Sequence, residues 1–161
     1  MGKVYRCYAE KKPGYDVEAQ GLLAELRTSL GLDRLRGVRL LHRYDVEGLD
    51  EATYAAARTT VFSEPQVDAV YDEALPDMPQ RCKVLAVEAL PGQYDQRADS
   101  AAQCIQLMTG KDRPVVKAAT VYLLTGTMTQ ADMEKIRRFL INPVESREAT
   151  MDKPDTLVQQ Y

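Results

Sequence analysis

One histidine serves the whole chain, at position 42, and that scarcity removes most imidazole chemistry at once. No Cys–His or Ser–His pairing can exist except through it. His42 lies on the apolar side of an alternating run, at the place Thr120 fills later in the chain. It reads as a hydrogen-bonded core imidazole rather than a catalytic base. Cysteine is scarce too: Cys7, Cys82 and Cys104 are an odd number and form no C-x-x-C pair, which argues against a disulfide or zinc framework. All three are expected to be buried thiols, Cys104 in mid-helix as a small hydrophobe rather than a nucleophile. There is no Gly-rich phosphate loop of either standard spacing. No carboxylates cluster at metal-ligand spacing, so no metal is expected. No apolar run approaches the roughly 20 residues of a membrane span. Met1-Gly2-Lys3-Val4-Tyr5 runs straight into a strand-like stretch and leaves no room for the apolar core of a signal peptide. Basic residues are not in excess: 21 against 24 acidic ones give a net charge of −3, which argues against nucleic-acid binding. These absences predict a cytoplasmic protein that binds neither membrane nor nucleic acid and is not a self-sufficient enzyme.

What is present is a repeat. Pro13-Gly14 and Pro91-Gly92 stand 78 residues apart, and the same shift maps Glu10 onto Glu88, Tyr44 onto Tyr122, Gly48 onto Gly126 and Pro65 onto Pro143. A shared spacing over that much chain points to one α+β unit written twice. The expected division is a first unit over 1–75, a connector over 76–81, a second unit over 82–148 and the start of a linker over 149–161. A chain of 161 residues, 45% apolar and 28% charged, has room for two small units sharing a core.

In the first unit, Lys3 to Glu10 reads as a strand, and Asp16 can cap a helix carrying Val17, Leu22, Leu23, Leu26 and Leu30. Gly31 is a plausible left-handed stop. Val38, Leu40, His42, Tyr44 and Val46 then alternate with Arg39, Leu41, Arg43, Asp45 and Glu47, which predicts a strand with one polar face. Asp50 can cap a second helix, and Gln66 to Asp72 reads as an edge strand. In the second unit, Val84 to Leu90 is the strand. Asp95 is the candidate cap of a helix with Ala98, Ala101, Ala102, Ile105 and Met108 on its apolar side. Val116, Ala118, Thr120, Tyr122 and Leu124 match the inward face of the first long strand. Thr129 and Asp132 have capping-box spacing. The residues from Glu145 onward are polar and read as a linker. Lys117, Ala119, Val121, Leu123 and Thr125 make the second long strand apolar on its other side as well. That side therefore needs a cover: the other half, a second copy or another domain, with sheet-on-sheet packing within the chain as the expected solution.

The halves differ most in one loop. Gln93, Tyr94, Asp95, Gln96, Arg97, Asp99 and Ser100 crowd seven hydrogen-bonding side chains around one helix start. A start needs one capping side chain and tolerates an acid or two. Arg97 opposes the helix dipole there, while the free N–H groups favour an anion. The plainer reading is a solvated start with an Arg97–Asp99 or Arg97–Asp95 pair. A second polar cluster, with Asn142, Glu145 and Arg147, follows the last helix; an ordinary polar linker would account for it.

The stretch from Leu90 through Pro-Gly-Gln-Tyr-Asp-Gln-Arg-Ala-Asp-Ser-Ala-Ala-Gln to Cys104, with Ile141-Asn-Pro-Val-Glu-Ser-Arg-Glu148 and Phe62-Ser-Glu-Pro65, resembles the N-terminal domain of phosphoribosylformylglycinamidine synthase in its long single-chain form. The resemblance covers nearly all of the chain. It implies two tandem ferredoxin-like β-α-β-β-α-β units forming a pseudo-dimer, similar to a dimer of the small subunit of the split enzymes. It implies a role in the glutamine- and ATP-dependent ligase of de novo purine synthesis. There the partners are the synthetase and glutaminase domains of the same enzyme, which hold ATP, magnesium and the catalytic residues. The chain would then be a piece of a longer protein, inactive alone, with its 93–100 loop facing the synthetase domain. The loop's individual ligand contacts do not carry over, because family members vary there. Two other classes stay open: a free-standing scaffold subunit, which could self-associate, and a regulatory small-molecule-binding module.

Overall fold

The computed structural model describes residues 3–158. The elements run β1 (Val4–Lys11), α1 (Val17–Ser29), β2 (Leu35–Glu47), α2 (Glu51–Thr60), β3 (Asp68–Asp72), β4 (Cys82–Ala89), α3 (Gln96–Thr109), β5 (Val115–Gly126), α4 (Gln130–Leu140) and β6 (Ser146–Ala149). The chain is thus mixed α+β, with a six-stranded antiparallel sheet in the order β3-β1-β2-β5-β4-β6. Each half contributes five elements in the order β-α-β-α-β. The expected six-element order, with four strands per half, is not what the described residues form. Within each half the second and third strands flank the first and run parallel to each other.

The shift of 78 found in the sequence carries through the fold. Moved by it, β1 coincides with the bounds of β4, and the other elements of the first half fall on those of the second to within a few residues. The register of the central β2–β5 pair follows the same rule. His42 lies opposite Thr120, its own counterpart, while Leu40 faces Tyr122 and Tyr44 faces Ala118. Each residue meets the counterpart of the residue that its own counterpart meets, the self-complementary pattern of a two-fold contact.

Helix boundaries follow local chemistry. The Asp50 and Asp95 side chains accept from Thr53 and Ala98 N–H at 2.7 and 3.1 Å, and Thr129 with Asp132 closes a full capping box. Asp16 stands at the N-cap of α1 but does not cap it: its oxygens take Gly14 N–H and the Gln20 amide instead. Both Pro-Gly turns place glycine at positive φ, 93° at Gly14 and 87° at Gly92. Gly126 is also required for space, because a Cβ there would collide with the Arg34 carbonyl oxygen.

All four helices lie on one face of the sheet and pair across the halves. Leu26 of α1 shares a cluster with Met133 and Ile136 of α4, above Val38, Leu85 and Leu124. Tyr54 and Ala57 of α2 meet Ala98, Ala101, Ala102 and Ile105 of α3, above Cys7, Tyr44 and Val46. Val17, expected in the α1 stripe, is 76% exposed at the helix start, and Met108 is 42% exposed near the end of α3.

The other face overturns two expectations. The charged side of β2 is not solvated: Leu41, Arg43, Asp45 and Glu47 are all buried. Nor do two sheets stack, since both halves share one sheet. The cover is irregular chain. Leu75, just after β3, and Met151 from the C-terminal segment pack over Tyr8, Leu41, Ala86, Val121 and Leu123. Residues 150–158, expected to be a free linker, are tied down by those buried charges. Arg6 forms a two-pronged pair with Asp45 (2.7 and 2.8 Å) and donates to the Met151 carbonyl at 2.6 Å. Arg43 donates to the Thr150 carbonyl at 2.8 Å, and Glu47 accepts from the Leu157 N–H at 2.6 Å. Strand β6 was missed as well. Its Arg147 and Glu148 look like linker, but a short edge strand needs only its backbone to pair, and edge charges deter further pairing.

Candidate functional site

A notch in the sheet makes the larger cleft. Strand β4 pairs with β5 only as far as Glu88 opposite Ala119, and Pro91-Gly92 then turns the chain away. The first residues of β5, Val115 to Ala118, keep β2 on one side and have no strand on the other. The resulting cleft, about 830 Å³, is bounded by the loop after Pro91, Arg113, the Arg147–Glu88 pair and the C-terminal segment up to Val158.

This cleft gathers part of the sequence-predicted site. Gln93, Tyr94, Asp95, Asp99 and Arg147 line it. Tyr94 donates its hydroxyl to Asp99 at 2.8 Å, and the carboxylate's hold on that proton pushes the phenol above its ordinary range. Asp99 is also paired with Arg113, so neither expected Arg97–acid pair forms. Arg147 is bound to Glu88 at 2.8 Å. Asn142 and Glu145 are turn residues. Asn142 accepts from Val144 N–H at 3.1 Å, and the Glu145 carbonyl accepts from Leu90 N–H at 2.9 Å, which ties this turn to the start of the loop. Gln96 and Ser100 are exposed on α3.

Arg97 leaves that group. It reaches Tyr44 Oη at 3.4 Å and lines a second cavity of about 440 Å³ on the helix face, above Leu40, His42 and Tyr44. The walls come from the start of α1 and the end of α2. His42 is not the hydrogen-bonded core imidazole expected: its Nδ1 is buried with no partner among the described residues. An unpaired buried nitrogen costs about 1–3 kcal/mol. Burial, then repulsion from Arg97 and Lys11, brings the His42 pKa down to about 4, so the ring is neutral at pH 7.

The cysteines divide. Cys7 is buried and its thiol is pushed up to about 12 by desolvation, so it is inert at neutral pH. Cys104 is exposed and Cys82 half-buried, against the expectation that all three are buried. Among the described residues no group of three His, Cys, Asp or Glu side chains could hold a metal ion, and no helix is long and apolar enough to cross a membrane.

The lining that sequence reasoning missed is Arg6, Arg43, Asp45, Arg113, Lys117 and Thr156 in the cleft and Lys11, Tyr15, Arg39 and Ser63 in the cavity. Only long-range strand pairing and the fold-back of the C-terminal segment bring these together. The one available hint was the surplus of charge on the non-helical face of β2. In the cleft three close pairs are ionic, Arg6–Asp45, Arg113–Asp99 and Arg147–Glu88, beside the Tyr94–Asp99 hydrogen bond. Pre-paired charges of this kind suit recognition of a surface or ligand better than proton transfer. No protein-family model matches the chain, and no curated protein matches it.

Proposed function

We propose that this chain is a structural and coupling domain of phosphoribosylformylglycinamidine synthase, packing on the synthetase domain and supporting transfer between the glutaminase and synthetase sites. The observation that carries the reading is the cleft: the motif residues Gln93, Tyr94, Asp95 and Asp99 and the second-motif residue Arg147 converge on one rim. Each half is then a three-stranded variant of the ferredoxin-like unit. The division at 1–75, 76–81, 82–148 and 149–161 marks two copies, a connector and the run toward a following domain. The resemblance assigns ATP and magnesium to another part of the enzyme. Both belong, on this reading, to the synthetase domain of a cytoplasmic enzyme. A free-standing scaffold subunit would use the same cleft.

The test adds the purified chain to separately purified synthetase and glutaminase parts and follows glutamine-dependent amidine formation. The chain alone should release no ammonia and hydrolyse no ATP. It should bind the synthetase part and raise coupled turnover, and Tyr94→Ala with Asp99→Ala should lower that gain while leaving Tm nearly unchanged. Failure to bind, or turnover indifferent to the chain, would overturn the proposal.

A further inference from the structure

The second cavity is not used by the coupling role, and it has the parts of a ligand site. Its floor is β2, at the residue where the two halves meet: His42 stands opposite its counterpart Thr120. The two halves furnish the same positions differently. The shift of 78 places Arg97 where the first half has Ala19, and His42 where the second half has Thr120. Folding therefore does not demand arginine or histidine at these places, since the copy folds the same elements with small residues. Both substituted residues line this one cavity.

Their polar groups are under-used. The other cations on the rim are committed, Arg39 to Glu10 at 2.6 Å and Lys11 to Asp68 at 3.0 Å. Arg97 is exposed to solvent, and among the described residues its one hydrogen bond is a long one to the Tyr44 hydroxyl, at 3.4 Å. It also sits in the first turn of α3, where the helix dipole disfavours a cation and favours an anion beside it. His42 adds an imidazole whose Nδ1 has no partner among the described residues. Leu40, Ala9 and Phe62 supply apolar wall. About 440 Å³ lies within the range of small-molecule pockets, which combine apolar lining with a few convergent polar groups.

We propose that this cavity binds a small monocarboxylate with an apolar body, its carboxylate held by Arg97 with Tyr44 and His42 beside it. The guanidinium fork matches a carboxylate with two parallel N–H donors. The neutral imidazole and the phenol can each donate one further hydrogen bond. Asp16, Glu18 and Glu64 also line the cavity and weaken the hold on any anion, most of all on one with two or three negative charges, so a monocarboxylate is favoured over phosphates.

The probe is benzoate, titrated into the intact chain and read by NMR at the His42 ring and at the Arg97 side chain, with benzamide and inorganic phosphate as comparisons. The variants come from the repeat itself, Arg97→Ala and His42→Thr, and their melting curves establish that both fold. Benzoate should shift the His42 and Arg97 signals saturably. Its affinity should fall at least tenfold in Arg97→Ala and by a smaller factor in His42→Thr. Benzamide and phosphate should bind more weakly than benzoate. Equal binding of benzamide, tighter binding of phosphate, or an unchanged affinity in a folded Arg97→Ala variant would each overturn the proposal. None of these readings depends on synthetase or glutaminase, so their outcome is separate from that of the coupling role.

Discussion

Two side chains carry more of the stability than their chemistry suggests. Arg6 and Asp45 are 2% and 5% exposed and face each other across β1 and β2. Removing one partner of a buried pair leaves the other charge uncompensated, which costs about 3–5 kcal/mol. Asp45→Asn should therefore destabilise the chain by about that amount in urea unfolding, while Arg39→Gln, on the half-exposed pair with Glu10, should cost under about 1 kcal/mol. His42 gives a pH signature. Its pKa falls from 6.5 to about 4 on folding, so the unfolded chain binds the proton more readily. Its contribution is present above pH 6.5 and is lost as pH falls toward 4, on the order of 3 kcal/mol in all. Wild type should lose stability over that window, and His42→Thr should flatten the loss in a series of denaturant midpoints.

At the scale of elements, the C-terminal segment is the least expected part. Among the described residues it has no regular structure beyond β6, yet Leu157 is buried, and Thr150 and Met151 carbonyls satisfy two buried guanidiniums. Deleting 150–161 should cost at least about 3 kcal/mol, from one buried leucine and the charge-assisted bonds together. It should also expose apolar surface over Leu41, Val121 and Leu123, detectable as dye binding or self-association. A deletion that leaves the denaturant midpoint unchanged would mean the segment merely rests on the sheet. Helices were the more legible elements. Asp50, Asp95 and the Thr129–Asp132 box act where the sequence placed them, because a cap is decided within four residues. Asp16 failed for an equally local reason, as Gly14 N–H and the Gln20 amide compete for its oxygens.

For the whole molecule, the two halves are joined through β2 and β5, the longest pairing in the sheet. Separated at the 76–81 connector, each half would expose a long central strand and lose the cross-half helix pairs α1–α4 and α2–α3. Neither fragment should fold as a monomer, and the two expressed together should restore one species of the size and helicity of the intact chain. Fragments that each fold as stable monomers would show that the halves are independent units. The same geometry explains why only part of the candidate site was legible. The Gln93–Ser100 cluster stood out as a surplus in one copy of a repeat, but which of its members point together was set by α3: Tyr94 and Asp99 turn to one cavity and Arg97 to another.

The sequence by itself determined the α+β class, the shared spacing of 78, most element boundaries and the caps, because periodicity and capping act over a few residues and a spacing is visible without folding. Only the tertiary structure decided that the halves share one sheet, that the charged face of β2 is buried and that the C-terminal segment closes over it. Those outcomes rest on pairings between residues far apart in the chain, as between His42 and Thr120 across the halves, or Arg43 and Thr150 and Glu47 and Leu157 onto the C-terminal segment. An alternating charged face looks solvated until such a partner arrives. A buried charge is tolerated only when the fold delivers that partner to hydrogen-bonding distance.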